Sequence, residues 1–230
     1  MSLIVVVSTV ADGSMYNRKD PIDLDVIENR KVYLAKQGIQ FTDATRVHPN
    51  ANQRAEVDHE TNWCKYIKVD ASSKLSGMKD GNTPAADALV TKTPGHALML
   101  PIADCVGAVF YDVTTQTLGV AHLGRHSLEQ QGGQQFVAYL QSEYGSDPSK
   151  IKVWLTPAPG KDIYPIWALE NKGMKEVTFE QLLHAGILME NIIDMPIDTD
   201  KDLNYYSYSE YLKGHRDEDG DYAIVAMMTD

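Results

Sequence analysis

Cys105 and His122 are the two residues whose types and spacing suggest chemistry first. Cys105 ends the segment Ala103-Asp104-Cys105 between two apolar runs, and His122 follows Ala121 near the end of a third. Val113-Thr114-Thr115-Gln116 reads as a hairpin turn between the second run and the third, so both residues fall at paired strand ends. Neighbouring strands lie about 4.8 Å apart, close enough for such ends to share one ligand. A thiolate and an imidazole are preferred zinc donors. The same two side chains would also serve as nucleophile and base of a metal-independent hydrolase, which needs a thiolate within hydrogen-bond reach of the histidine. A free thiol on a strand is also a good small hydrophobe, and spacing alone leaves all three readings open.

The elements that must position these residues follow from the pattern around them. Leu3–Val10, Ala97–Ala103, Gly107–Asp112, Thr117–Leu123, Ile151–Thr156 and Asp221–Met228 read as strands, and Asp87–Thr91 as the start of another. Asp23–Gln37 has helical spacing, with Gly38 where a C-terminal cap belongs. Leu128–Ser142 reads as a helix opened by Ser127, with Gln130 completing a capping box. Thr178–Ala185 is a further helix, ended by Gly186. Phe41–His48 is a short strand or loop leading to His48, and Asn50–Glu60 is polar and expected to be exposed. Residues 70–85, punctuated by Gly77, Gly81 and Pro84, read as a long surface loop able to act as a lid. Strands and helices follow no strict β-α-β rhythm. The expectation is therefore a single α+β domain over residues 1–230, with a mixed β-sheet core and outer helices.

The chain has 230 residues and a formal net charge of -11. That charge argues against nucleic acid or an anionic membrane as the main partner and leaves room for a small anion in a local basic pocket. The apolar N-terminal run is short and has neither basic leader nor cleavage site, so it reads as a strand. No window of about 18 apolar residues suggests a membrane span. The two cysteines, Cys64 and Cys105, are expected as free thiols in a reducing, cytoplasmic compartment, Cys64 buried beside Trp63 and Tyr66. Oligomeric state is not legible.

Several motifs run in the order of one family. They are Val7-Ser8-Thr9-Val10, Glu28-Asn29-Arg30, Arg46-Val47-His48-Pro49, Ala86-Asp87-Ala88-Leu89-Val90-Thr91, Pro94-Gly95, Ala103-Asp104-Cys105, Asp112, Ala121-His122-Leu123-Gly124 and Tyr205-Tyr206-Ser207-Tyr208. The chain resembles the laccase-domain (YfiH-type) family, also described as purine nucleoside phosphorylases or multicopper polyphenol oxidoreductases. The resemblance implies an α+β fold related to the CNF-type cysteine hydrolases. It also implies a zinc ion held by His48, Cys105 and His122. Three protein ligands with an open fourth position describe a catalytic zinc site. The implied reaction is phosphorolysis of adenosine, inosine or guanosine, with nucleoside and phosphate as partners. Some family members are associated with adenosine deamination, and others with editing peptidoglycan precursors.

The departures from the family pattern concentrate around the pocket. Its Ala-Gly-Trp-Arg-Gly becomes Leu123-Gly124-Arg125-His126-Ser127. Its cysteine-bearing segment is matched only loosely by Thr156-Pro157 and Tyr164-Pro165, and its late Cys-Thr by Asp198-Thr199. Ser209 stands where the family has arginine. Arg125 suits phosphate through its planar fork of donors, with His126 beside it and Arg46 as a second anion-binding candidate. Each is equally a solvated charge. Cys105, His122 and Arg125 are thus the expected catalytic set. Asp104 is either a partner that orients a metal ligand or the cap of a turn. The tyrosines 205, 206, 208 and 211 either stack on a base or pack a corner. His59, His96, His184 and His215 have no evident partner. Seven histidines, mostly scattered, do not supply a multicopper cluster, so copper is less expected than zinc. Two alternatives stand beside the nucleoside enzyme: a Cys–His hydrolase acting on an amide or peptidoglycan precursor, and a non-catalytic metal-binding relative.

Overall fold

The computed structural model describes residues 2–20, 22–49, 65–79 and 84–229. The expectations for Asn50–Glu60, His59 and Cys64 lie outside the described residues. In chain order the elements are β1 Ser2–Val7, α1 Leu24–Lys36, β2 Ala44–Arg46, β3 His48–Pro49, β4 Tyr66–Lys68, β5 Ala85–Ala86 and β6 Ala88–Thr91. Then come β7 Ala97–Ile102, β8 Val106–Asp112, β9 Thr117–Leu123, α2 Arg125–Leu128, α3 Gly132–Tyr144 and β10 Ile151–Leu155. The last are β11 Pro165–Ile166, β12 Lys172–Gly173, α4 Met174–His184, β13 Ile192–Asp194, α5 Tyr208–Leu212 and β14 Tyr222–Thr229.

Two mixed sheets stack face to face. One has the order β1-β14-β7-β2, the other β13-β10-β8-β9-β6-β4. Each combines antiparallel pairs with one or two parallel ones, such as β2 beside β7 and β4 beside β6. Leu98, Leu100, Ile224 and Ala226 of the first sheet meet Leu89, Val109 and Val120 of the second in one buried layer. The opposite faces are covered by helices. Tyr33 and Leu34 of α1 pack on Ala97, Met99, Ala223 and Val225. Phe136, Val137 and Leu140 of α3, with Val177 and Leu182 of α4, pack on Ala108, Phe110 and Val153. The expected α+β class with a mixed core and outer helices is what the chain forms.

Local chemistry sets the helix ends. The Asp23 carboxylate accepts the backbone N–H groups of Asp25 and Val26, a cap worth about 1 kcal/mol. Gly38, at φ +73, reverses the chain after α1, a backbone region open to glycine at little cost. The helix expected over Leu128–Ser142 is two helices. α2 opens at Gly124 and not at the expected Ser127 cap, which is buried inside it. The chain then turns through a left-handed Gln131 (φ 60) before Gly132. Strand β1 stops at Val7, before the expected Val10, where a 3-10 turn begins.

The expected lid is also corrected over its described part, since residues 71–79 are tied down. Met78 is fully buried. Its carbonyl accepts Arg30 Nη1 at 2.9 Å, and the Gly77 carbonyl accepts Arg46 Nε at 2.6 Å. Two buried arginines thus use backbone carbonyls where solvent would otherwise serve them.

His96 is fully buried, with Nε2 2.7 Å from Thr45 Oγ1 and Nδ1 without a partner among the described residues. Burial, then Lys74, lowers its pKa to about 4, while Asp70 and Asp43 pull the other way. Between about 4 and the unfolded value near 6.5, the unfolded chain binds the proton and the folded one does not. His96 therefore contributes stability above about pH 6.5 that is lost as pH falls through 4, about 3 kcal/mol in all. Asp221, raised by burial to about 6, works with opposite sign in the same range. Denaturant titrations between pH 4 and 7 are expected to show stability rising less, or falling more, with pH in His96→Gln than in the wild type, where the two groups oppose each other. Parallel profiles would remove His96 from this account.

Candidate active site

Antiparallel pairing of β8 with β9 sets Val106 opposite Leu123 and Gly107 opposite His122. Cys105 is therefore the last residue of the β7–β8 reversal, directly beside the end of β9. Asp104 makes that reversal at φ 74, and its carboxylate accepts Ser209 N–H at 2.7 Å and Thr199 Oγ1–H at 3.2 Å. Of its two expected roles, bracing a turn is the one observed, and it ties the reversal to α5. His122 is held from the other side, its backbone N–H donating to the Asp87 carbonyl at 2.7 Å.

Gly124 lies between the two side chains. A Cβ built there would stand 2.7 Å from His122 Nε2 and 3.0 Å from Cys105 Sγ. The absence of a side chain thus leaves a cradle bounded by a ring nitrogen and a sulfur. His122 is buried, and its Nδ1 has no hydrogen-bond partner among the described residues. His48 enters from the β3–β5 pair, with its ring 5.6 Å from Tyr16. Among the described residues no three His, Cys, Asp or Glu side chains stand close enough together to hold a metal ion as they are placed. The cradle between His122 Nε2 and Cys105 Sγ, with His48 lining the same cavity, offers donors of the kinds a thiophilic divalent metal takes.

Electrostatics leave these donors uncharged in the bare protein. Burial, reinforced by Asp104 and Asp221, pushes the Cys105 thiol up to about 12. Burial, then His48 and His126, lowers His122 to about 4. Burial and then Arg46 lower His48 as well. Neutral imidazoles are the ligating form, and a bound cation is what would displace a thiol proton of this kind.

All the residues expected from sequence line one cavity of about 910 Å³: His48, Cys105, His122, Arg46, Arg125 and His126. Arg125 and His126 open α2 at its rim. Arg125 Nη2 contacts His126 Nε2 at 3.2 Å, and Glu129 lies 3.9 Å from Arg125 Nε and 3.5 Å from His126 Nδ1. Arg46 is buried under the cavity, its guanidinium carbon 5.2 Å from the Tyr16 ring centre. Of the tyrosine cluster, Tyr205 and Tyr206 pack in the core, while Tyr208 lines the cavity with Arg18 over its ring at 4.4 Å.

Sequence reasoning missed Arg18, Tyr164 and Asp221, which line the same cavity. Arg18 pairs with both Asp219 and Asp221. Arg18 sits in a polar run that reads as solvated loop, and Asp221 ends an acidic run. The available signal was Asp221 standing directly before an unbroken apolar strand. His215, outside the cavity, does have a partner, Glu210 at 2.7 Å from its Nδ1.

Comparison with known proteins adds a family to this geometry. A family model described as multi-copper polyphenol oxidoreductase laccase matches residues 16–173. The chain is 30% identical over 152 residues to the purine nucleoside phosphorylase YlmD of Bacillus subtilis (strain 168), covering 63% of this chain and 49% of that protein. It is 34% identical over 83 residues to a purine nucleoside phosphorylase of Xylella fastidiosa, covering 36% of this chain and 30% of the relative. The chain thus matches half or less of the length of these curated relatives. In fold it is similar to the hypothetical protein YfiH of Bacillus licheniformis, with TM-score 0.78, 20% identity and coverage of 99% and 93% of the two chains. It is also similar to YlmD of Geobacillus stearothermophilus, with TM-score 0.79, 19% identity and coverage of 99% and 92%.

Proposed function

The chain belongs to the family described as multi-copper polyphenol oxidoreductase laccase, and from that premise we propose that its cavity cleaves purine nucleosides with the help of a metal ion. The reaction is phosphorolysis of adenosine, inosine or guanosine. The observation that carries the reading is the cradle over Gly124, which His122 Nε2 and Cys105 Sγ flank in a cavity of about 910 Å³ that Arg46, Arg125 and His126 also line. Both curated relatives carry the name purine nucleoside phosphorylase.

In phosphorolysis a phosphate oxygen forms a bond to the anomeric carbon of ribose as the bond to the base nitrogen breaks. The base leaves with the electron pair and is protonated. His48, Cys105 and His122 would hold the metal, zinc in preference to copper, and zinc with three protein ligands supplies a Lewis acid at its open position. Arg125 holds phosphate at the rim, where its fork of N–H donors suits a tetrahedral anion. Arg46 adds positive potential from beneath, and His126 flanks the anion. The walls shed water from the nucleoside, which strengthens each of these contacts.

A Cys–His hydrolase is less well supported. A thiol raised to about 12 beside an imidazole lowered to about 4 does not form the thiolate–imidazolium pair which that chemistry needs.

The test is turnover of adenosine, inosine and guanosine by zinc-loaded protein, with and without phosphate. Free base and ribose 1-phosphate in equal amounts support the proposal. Ammonia from adenosine without phosphate would replace phosphorolysis by deamination, and no product from any nucleoside would leave a non-catalytic metal-binding relative. Arg125→Ala is expected to raise the phosphate KM about 10- to 100-fold, the worth of a charge-assisted hydrogen bond, with zinc content unchanged. An unaltered phosphate KM would remove that role.

A further inference from the structure

Asp221 is the cavity-lining group that the reaction above leaves unused. It is 4% exposed, lies directly before β14 and lines the cavity. Arg18 Nη2 donates to its Oδ1. Among the described residues no hydrogen-bond donor reaches its Oδ2. Asp104, the neighbouring carboxylate, has both oxygens engaged by Thr199 and Ser209. A carboxylate oxygen that lines a cavity without a protein donor is free to accept from water or from a ligand that displaces it. The local charge also restricts what can complete it. Arg18 is already shared between Asp219 and Asp221, so this corner carries net negative charge and repels phosphate. That separates it in function from the rim at Arg125 and His126. Arg18 also lies over the Tyr208 ring, so that face of the tyrosine is not open to stack on a base.

We propose that Asp221 is a specificity-determining residue that accepts a hydrogen bond from an N–H on the Watson–Crick edge of the purine, with Arg18 fixing its carboxylate. This rests on the nucleoside reading of the cavity. Inosine and guanosine present N1–H, and adenosine presents its exocyclic N6 amine. A carboxylate accepts from any of these and gains nothing from a base lacking the donor. Sites built to bond a substrate N–H reject analogues without it, because the buried acceptor is then left unpaired. The Asp221 carboxylate is held in place by Arg18 and by the Ser14 hydroxyl, which accepts its backbone N–H at 3.0 Å.

The experiment removes the donor from the ligand as well as the acceptor from the protein. Wild-type protein and Asp221→Ala are compared on two substrate pairs: inosine with 1-methylinosine, and adenosine with purine ribonucleoside. Both kcat/KM and calorimetric Kd are read. In the wild type, losing the donor is expected to lower kcat/KM and weaken binding about 10- to 100-fold. In Asp221→Ala, which has no side-chain acceptor, the two members of each pair are expected to differ less than about threefold. The ligand comparison in the wild type stands even if the variant folds poorly. Equal handling of each pair by the wild type overturns the assignment, as does a variant that still discriminates fully. Either result leaves the nucleoside reading intact, whereas a wild type that neither binds nor turns over any nucleoside removes both.

Discussion

Cys105→Ala is expected to abolish both zinc binding and nucleoside turnover while the protein remains folded. Cys105 is half-buried in the β7–β8 reversal, and that turn is held by Asp104 and not by the thiol. The cost in stability should therefore stay near 1 kcal/mol, the common size for a change away from the packed core. The metal has no such reserve. Even groups that merely orient a ligand are worth about 10- to 100-fold in affinity, so loss of one of three ligands should exceed that. Elemental analysis of the purified variant beside the wild type reads the result. A Cys–His hydrolase would also lose activity in Cys105→Ala. Only the metal site predicts that zinc leaves with it, and a variant retaining about one zinc per chain would refute the ligand assignment.

Gly124→Ala is the second large effect, and it replaces none of the three proposed ligands. Gly124 has φ -82 and ψ 172, extended backbone that alanine adopts freely. No backbone strain is introduced, and the cost in stability is the overpacking of a buried position, about 1–3 kcal/mol. The added methyl would, however, lie 2.6 Å from His122 Cε1 and 2.7 Å from Nε2, with Cys105 Sγ at 3.0 Å. The ring and the sulfur must separate to admit it, and a shift of about 1 Å at a reacting centre costs on the order of 100-fold. The expected outcome is a protein that still folds and melts a few degrees lower, deficient in zinc and with turnover at least about 100-fold lower. Normal zinc content together with normal turnover would mean that the space above Gly124 is not the metal cradle.

Much of this site could be read from residue order, because it rests on a local device. The β8–β9 hairpin is short, its turn is marked by Val113-Thr114-Thr115-Gln116, and its pairing brings Cys105 beside His122. His48 and Arg46 came from resemblance alone, since β2 and β3 reach the cavity through parallel pairings with β7 and β5 that leave no local signal. The division of the core into two sheets was not legible either. Leu89, Val109 and Val120 face the other sheet, while Val90, Ala108 and Phe110 face the helices. With both faces buried, the strands read as unbroken apolar runs with no alternation to separate the layers. The break between α2 and α3 did have a signal, Gly132-Gly133, which helical spacing on either side concealed. Arg18 and Asp221 were hidden because each belongs to a charged run, and only the fold shows that these two members turn inward.

X-ray absorption at the zinc edge of the zinc-loaded protein tests the central claim most directly. The account predicts a first shell of one sulfur at about 2.3 Å and two imidazole nitrogens at about 2.0 Å, with one light atom from solvent completing four. The sulfur contribution should vanish in Cys105→Ala. A shell without sulfur in the wild type, or one with two or more sulfurs, would contradict a site built from His48, Cys105 and His122.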